Sequence, residues 1–465
     1  MTQSMQPSTP TLAEAQPIPA DASFVDDRAT GPAHGGLRVH PLRSALADEA
    51  HARPFPIVHA PLRASHLAVL AGEGGRDDEP SHLRELCRQF KVEPPEPGVN
   101  HFSRDFGTFR LRWERHTEFF TYTVMTFEPF DAPFDRPPIT HLPPDWLAGL
   151  KGEVVSAVHV ALAPASTPHL TSDALRDLFD GHRLIGSRVV EENALVWTAL
   201  RVHHDGFGRI YIHDDSLNDC RAGRLIQRLL ELETYRLMAL LALPIAREIG
   251  PKLTTLEHRL SGVHDRIAQP GGVDQERILL HDLSGMAAEV EHIRSKKSYR
   301  FSASRAYSAL MNRRLEELRE TQVVGYLTLA EFLDRRMTPA MRTCETVCDR
   351  MEDLSRRLDR ASDLLRTRID LTLEAQNQEL LTSMNRRADL QLRLQQTVEG
   401  LSVVAITYYA LALLRCAFEG LHDAGLPIRV SIAEAVALPI ILLVVYLGVR
   451  HVRKVIHKRD GSDRR

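Results

Sequence analysis

The densest group of chemically active side chains in the sequence lies at residues 40–54. It combines imidazole, carboxylate and guanidinium groups, which together can bind an anion or a metal ion. The spacing matches no known set of metal ligands, and a surface helix that ends before Pro54 explains the same residues, so both interpretations stay open. The members of this possible polar site are His40, Arg43, Glu49, His51 and Arg53.

Two further histidine-aspartate motifs occur near predicted strand ends. Residues 203–205 (His-His-Asp) lie in a predicted turn, and residues 213–215 (His-Asp-Asp) follow a predicted strand, so we interpret both as polar loops. The sequence has no glycine-rich phosphate loop, no Gly-x-Ser-x-Gly elbow, no His-Glu-x-x-His helix and no dinucleotide fingerprint. We therefore expect a protein that is not an enzyme and that binds no metal and no cofactor.

The composition limits the class of protein. A chain of 465 residues exceeds the size of one hydrophobic core, which predicts two or more folded units. The net charge of -3 argues against a general nucleic-acid binder. The five scattered cysteines predict neither a disulfide framework nor a zinc site and fit a reducing compartment. Residues 1–36 are rich in proline and lack a charged segment followed by an apolar run, which predicts a disordered tail without a signal peptide.

Two apolar segments near the C-terminus, residues 401–418 and 430–449, are each about long enough to cross a bilayer as a helix. Their connector is short, so we expect a two-helix transmembrane hairpin at residues 401–449. Lysine and arginine crowd the tail at residues 450–465 and also precede the first span, whereas the connector carries only Arg429. By the positive-inside rule, we expect the bacterial inner (plasma) membrane, with the N-terminal body and the C-terminus cytoplasmic.

Two charged residues, Arg415 and Glu434, lie within the predicted spans. Antiparallel spans place them at similar depth near the outer face, where they can form an intramembrane pair. Alternatively, Arg415 reaches the outer headgroups on its own while Glu434 stays at the interface. Both interpretations remain open.

A helical bundle and stem are predicted for residues 216–400. A helix at residues 219–243 is expected to end or kink at Pro244, and residues 269–272 separate two later helices. The last stem helix is predicted to begin with Pro339 at its first position. Apolar residues spaced by four and three then predict the seam of a coiled coil or bundle, through which we expect a homo-oligomer. The seam residues are Val347, Met351, Leu354, Leu358, Ala361 and Leu365.

Residues 37–215 show period-two alternation instead of a helical pattern. One hairpin is predicted from alternation alone, and another is predicted around the tight-turn dipeptide Asp205-Gly206. The predicted strands are 109–113, 120–124, 154–162, 195–202 and 207–213, and the predicted helices are 81–90 and 172–179. The sequence therefore predicts an α+β cytoplasmic domain with an antiparallel sheet, followed by the long helical stem and the C-terminal hairpin.

Several short segments carry a resemblance to a known family. They are His40-Pro-Leu-Arg, Glu49-Ala-His-Ala-Arg-Pro54, Asp215-Ser-Leu-Asn-Asp219, Glu233-Thr-Tyr-Arg-Leu-Met238 and residues 398–409. Together they resemble a bacterial family of membrane-anchored proteins, the domain of unknown function 3422, over most of residues 37–455. The resemblance implies a topology and no particular chemistry.

The architecture is also similar to the CorA magnesium transporter superfamily. In those transporters a Gly-Met-Asn motif follows the first span, whereas residues 418–421 here read Phe-Glu-Gly-Leu. Two functions remain: a membrane-anchored cytoplasmic scaffold or interaction protein, which we favour, and a divergent CorA-like divalent cation channel or transporter. The first span offers few polar residues to line a hydrated pore. We expect an integral membrane protein without a nucleic-acid partner, and the ligand is unknown.

Overall fold

The computed structural model describes residues 40–43, 46–47, 55–72, 75–269, 271–423 and 430–460. The chain divides into two compact units. We call the first, Met1–Thr255 with Val290–Leu354, the sheet unit, because it contains the described strands. We call the second, Leu256–Glu289 with Ser355–Arg465, the helical unit, because its described elements are helices.

The sheet unit is built on a mixed sheet. Its strands are β1 (Leu62–Leu70), β2 (His101–Asp105), β3 (Arg110–Arg115), β4 (Phe119–Thr126), β5 (Glu153–Ala163), β6 (Ile185–Val189), β7 (Ala194–Thr198), β8 (Gly208–Asp214) and β9 (Thr321–Gln322). Their order across the sheet is β2-β3-β4-β1-β5-β8-β7-β6-β9. The central pair, β5 and β8, runs parallel, while the other paired strands run antiparallel. The prediction of an antiparallel sheet was therefore wrong at this pair, because β5 and β8 are joined through two other strands rather than by a hairpin.

Both predicted hairpins are confirmed. The strands β3 and β4 pair antiparallel, as do β7 and β8. The turn after β7 begins earlier than expected, since the strand ends at Thr198. Alternation reveals these strands because their neighbours in the sheet are also their neighbours in sequence.

Helices cover both faces of the sheet. They are α1 (Gly75–Phe90), α2 (Pro144–Ala148), α3 (Ser172–Leu178) and α4 (Asp219–Leu240). On one face, Leu225 and Leu229 of α4 belong to one core cluster with Val160 and Ile212 of the sheet. On the other face, α1 and α2 share a cluster with β3 and β4, and α3 shares another with β7 and β8. Because both faces are covered, all eight residues of β4 are buried.

The remaining helices are α5 (Ala242–Ile267), α6 (Val273–Leu318), α7 (Leu329–Asp423) and α8 (Val430–Asp460). The predicted breaks near residue 243 and at residues 269–272 are confirmed, since α4 ends at Leu240 and α6 begins at Val273. The predicted start of the stem helix was wrong, because α7 begins at Leu329 and Pro339 lies inside it.

A capping box explains the earlier start of α7. The Thr328 hydroxyl accepts a hydrogen bond from the Glu331 backbone N–H at 3.1 Å. The Glu331 carboxylate in turn accepts one from the Thr328 N–H, also at 3.1 Å. These reciprocal bonds satisfy two N–H groups that the helix itself cannot. The helix then tolerates Pro339, whose missing N–H removes one later backbone hydrogen bond.

The predicted seam of α7 is buried within the chain. In the sheet unit Val347 and Met351 are 5% and 1% exposed, and in the helical unit Leu358 and Leu365 are fully buried. Within the helical unit, polar contacts join α5, α6 and α7. Arg266 of α5 pairs with Asp282 of α6, and Arg368 of α7 reaches both Glu276 of α6 and the Ile267 carbonyl of α5. This seam therefore needs no second copy of the chain for its burial.

Candidate functional site

The possible polar site is only partly within the described residues. His40 and Arg43 are exposed, and the His40 Nδ1 atom accepts a hydrogen bond from the Leu42 N–H at 3.1 Å. Glu49, His51 and Arg53 lie outside the described residues. Anion or metal binding at this site stays a prediction.

The second histidine-aspartate motif forms a cluster around the end of β8. His169, His213 and Asp215 bring potential ligand atoms within 4.8 Å of one another. His213 already uses both ring nitrogens, Nδ1 at 2.9 Å from Asp215 Oδ1 and Nε2 at 2.7 Å from the Thr167 carbonyl. Arg188 lies 3.2 Å from the other Asp215 oxygen. A metal ion would have to displace these bonds, so the cluster is best explained as a structural tie between loops.

The first motif lies beside a second charged cluster. The Asp180 carboxylate is 2.6 Å from His203 Nδ1 and 3.4 Å from Arg209 Nη1. The hydrogen bond from His203 holds the pKa of Asp180 below its usual range, aided by the charge of Arg209. Asp180 thus fastens the turn after α3 to the β7–β8 hairpin, which the sequence did not reveal because these partners lie far apart in the chain.

The side chains of a serine, a histidine and an aspartate lie next to one another in the same region, although they are far apart in sequence. Ser65 Oγ is 2.9 Å from His159 Nδ1, and His159 Nε2 is 3.9 Å from Asp205 Oδ2. The three residue types are those of a hydrolytic triad, but the two ring nitrogens are exchanged, because a triad serine contacts Nε2 and a triad aspartate contacts Nδ1. Ser65 is also fully buried, and its hydroxyl accepts a hydrogen bond from the Ile139 N–H. Burial of this hydroxyl and its hydrogen bond to the Ile139 N–H are typical of a structural contact in the core.

A small cavity, lined by both apolar and polar side chains, lies between α4 and the sheet. Its volume is about 40 Å³, which suffices for a water molecule or two and not for an organic substrate. His66 lies here, with Nδ1 at 2.8 Å from Thr123 Oγ1 and Nε2 at 3.3 Å from Thr234 Oγ1. Burial lowers the pKa of His66 to about 4, so the ring is neutral at neutral pH.

An ion pair borders the same cavity. The Arg112 guanidinium lies 2.8 Å from the Glu114 carboxylate and 3.4 Å from the Gln227 side-chain oxygen. Burial alone would raise the pKa of Glu114, but the charge and hydrogen bond of Arg112 outweigh it and the pKa is lowered. Both groups are satisfied by each other, which is typical of a buried structural pair.

The end of α7 and the helix α8 are the part of the chain suited to a membrane. Two helices in the described residues, α7 and α8, are long and apolar enough to cross a bilayer. The rest of the chain buries only 6% of the most apolar segment of α7 and 0% of that of α8. A soluble core helix of this composition would be covered, so the exposure favours a lipid or protein environment.

The two predicted intramembrane charges are close together. Arg415 Nε lies 3.6 Å from Glu434 Oε1, which links α7 to α8. Arg415 is also 3.0 Å from Glu419, one turn further along α7. Glu419 was not among the predicted site residues, although its i,i+4 spacing from Arg415 is a recognisable signal. Whether these groups lie within a membrane stays a prediction.

Because Arg415 lies near two carboxylates, those of Glu419 and Glu434, we expect its replacement to have the larger effect. Arg415→Leu should lower the melting temperature in detergent more than Glu434→Leu, because Glu419 still neutralises Arg415 in the second variant. A double-mutant cycle should give a favourable coupling between Arg415 and Glu434 that differs from zero. Zero coupling would mean that the two side chains reach water separately.

Comparison with known protein families matches residues 38–456 to the family described as protein of unknown function, DUF3422. Searches of curated proteins and of solved structures found no match to the chain. None of these comparisons supports the similarity to CorA. The family match covers most of the chain, in agreement with the segments that carry the sequence resemblance. The chain therefore belongs to the DUF3422 family.

Proposed function

We propose that the chain is a membrane-anchored cytoplasmic scaffold or interaction protein, without enzymatic activity, that self-associates through its stem. The observation that carries this proposal is an uncovered stretch of α7. Nearly every residue at positions 374–398 is exposed, including large apolar side chains that are 53–67% exposed. These side chains are Leu380, Leu381, Met384, Leu390, Leu392, Leu394 and Val398.

The apolar residues of this stretch follow a coiled-coil pattern. Leu380 and Met384 are four residues apart, and Leu394, Val398 and Leu401 follow at the same alternating steps of four and three. The two positions of this exposed stripe between Met384 and Leu394 are Arg387 and Gln391. Polar residues at such positions limit the choice of register and partner. An isolated helix with this pattern exposes apolar surface to water, and pairing with the same stretch of a second copy would cover it.

Anchoring is the second part of the proposal. The two apolar helices would cross the inner membrane, with the sheet unit and the C-terminal basic tail in the cytoplasm. The excess of lysine and arginine on the outer flanks of the helices supports this orientation. A chain held in this way would present its sheet unit to cytoplasmic partners while the stem joins copies of the chain.

Self-association can be tested with a matched pair of variants. Leu394→Glu places a charge on the exposed stripe of α7. It should shift the purified chain in detergent from oligomer to monomer, as measured by light scattering. The control is Leu392→Glu. Leu392 is 53% exposed, compared with 67% for Leu394, and it faces away from the exposed stripe. This change should leave the mass unchanged. A monomeric wild-type chain would contradict the proposal directly.

Ion transport provides the opposing test. Liposomes that contain the purified chain should show no flux of Mg²⁺ above that of empty liposomes, because a scaffold needs no hydrated pore. A saturable Mg²⁺ flux that depends on the chain would replace the scaffold proposal by a divalent cation channel or transporter.

A further inference from the structure

A positively charged pocket lies in the sheet unit. Its volume is about 250 Å³, which is large enough for a small anion with its nearest waters. Three elements form it: the first half of α4, the turn between β6 and β7, and the end of α6. The charged residues that line it are Arg221, Arg224, Arg228, Arg319, Glu191 and Glu317.

Helical periodicity explains why three arginines meet there. Arg221, Arg224 and Arg228 are spaced by three and four residues, which places them on one face of α4. The opposite face of α4 is held in the core by Ile226 and Leu230. Because the core fixes the rotation of the helix, the three guanidinium groups are held toward the pocket. Positioning of this kind reduces the entropy lost when a ligand binds.

The first turn of α4 adds to the positive potential. The Asn218 side chain caps the helix by accepting a hydrogen bond from the Arg221 N–H at 2.9 Å. Gly223 lets the chain before β1 approach closely, because a Cβ there would lie 1.6 Å from the Pro56 carbonyl oxygen. The N-terminus of α4 carries a partial positive charge that reinforces the arginines.

The carboxylates in the pocket do not balance the arginines. Glu191 pairs with Arg319 and lies 4.0 Å from Arg221. Glu317 is 3.2 Å from Arg228 and is also shared with two arginines of α6 outside the pocket. Four arginines and two glutamates leave a formal charge of about +2.

Arg224 is the arginine that the described residues leave without a hydrogen-bond or ion-pair partner, and it is only partly exposed. The pKa of Glu317 reflects the same excess of positive charge. Burial would raise this pKa, but Arg314 and Arg228 together lower it, so the glutamate stays ionised. Even with this carboxylate fully charged, the arginines remain in excess.

We propose that this pocket binds the phosphate group of a small soluble molecule carrying at least two negative charges. Guanidinium groups donate paired hydrogen bonds that match phosphate oxygens, and they stay charged at all relevant pH values. The three arginines of α4 and Arg319, which directly follows α6, approach the pocket from two different parts of the chain, which suits a tetrahedral group better than a flat carboxylate. A doubly charged phosphate also matches the net charge of the pocket.

The test is calorimetric titration of the full chain in detergent with sodium pyrophosphate. We expect saturable binding that weakens as salt is added. Arg224→Gln should weaken binding about tenfold or more. The control, Arg176→Gln, changes an exposed arginine at the end of α3 and should leave the affinity unchanged.

A second variant keeps the test independent of folding effects in Arg224→Gln. Glu191→Gln removes a carboxylate that competes for Arg221 and Arg319, so it should strengthen pyrophosphate binding several-fold. Malonate should bind more weakly, as should soluble dihexanoylphosphatidylglycerol, whose phosphodiester carries one charge. Three results would each overturn the proposal: no saturable binding of pyrophosphate, equal binding of malonate, or tighter binding of the lipid.

Discussion

Leu358→Glu should strongly destabilise the helical unit. Leu358 is fully buried in the described structure and lies on the seam of α7. A carboxylate at this position must either stay charged in an apolar environment or take up a proton, and both cost free energy. We expect the free energy of unfolding to fall by about 4 kcal/mol or more. The measurement is circular dichroism on heating in detergent, where helical ellipticity should be lost at a lower temperature.

The matched control for this change is Leu364→Glu on the same helix. Leu364 is 56% exposed, so its replacement should shift the transition little. The tryptophans offer an internal reference, because Trp113, Trp146 and Trp197 all lie in the sheet unit. Similar effects of Leu358→Glu and Leu364→Glu would show that the helices do not bury this face of α7.

Mild acid should destabilise the sheet unit. Burial lowers the pKa of both His66 and His159 to about 4, from about 6.5 in an unfolded chain. Between these values the unfolded state binds more protons than the folded state, so stability falls as the pH falls from about 6.5 to about 4. At pH 5 each histidine should cost about 2 kcal/mol relative to neutral pH.

The measurement is the free energy of unfolding by urea, followed through tryptophan fluorescence at a series of pH values. His66→Gln should reduce the slope of stability against pH in this window, although it also removes packing at neutral pH. The control is His204→Gln, since the His204 side chain is 79% exposed. Asp214 and Glu320, whose pKa values burial raises, act in the opposite direction and are common to all variants. An unchanged slope in His66→Gln would contradict the assignment.

The sequence predicted the local parts of the fold. Alternating residues and the Asp205-Gly206 turn predicted the two hairpins, and the break at residues 269–272 separated two helices correctly. These patterns work because each depends on residues close together in the chain. The start of α7 was missed although its signal is equally local. Pro339 is a strong local signal, yet the capping box at Thr328 and Glu331 decides the boundary.

The strand β1 was not predicted because its environment is not local. In β1, residues Ser65 and His66 interrupt the apolar pattern but are buried. Ser65 bonds to His159 of β5, and His66 bonds to Thr123 of β4 and Thr234 of α4. A single sequence does not show that polar side chains so far apart will satisfy one another. The parallel pairing of β5 with β8 was missed for the same physical reason.

The sequence carries fewer signals for the candidate sites than for the fold. The spacing of Arg415 and Glu434 across a short connector predicted their proximity, which the structure shows. The arginine pocket was not predicted, because Arg319 and Glu191 reach it from elements distant in sequence. A signal was nonetheless present, since Arg221, Arg224 and Arg228 share one helical face.

Reporter fusions in living cells can establish whether the C-terminal hairpin crosses the membrane. A fluorescent reporter that folds only in the cytoplasm and a phosphatase active only outside it are each fused at residue 465 and within residues 420–426. We predict fluorescence without phosphatase activity at residue 465, and phosphatase activity without fluorescence at the connector. Fluorescence at both positions would show that the hairpin does not cross the membrane and would contradict the account of a membrane-anchored protein.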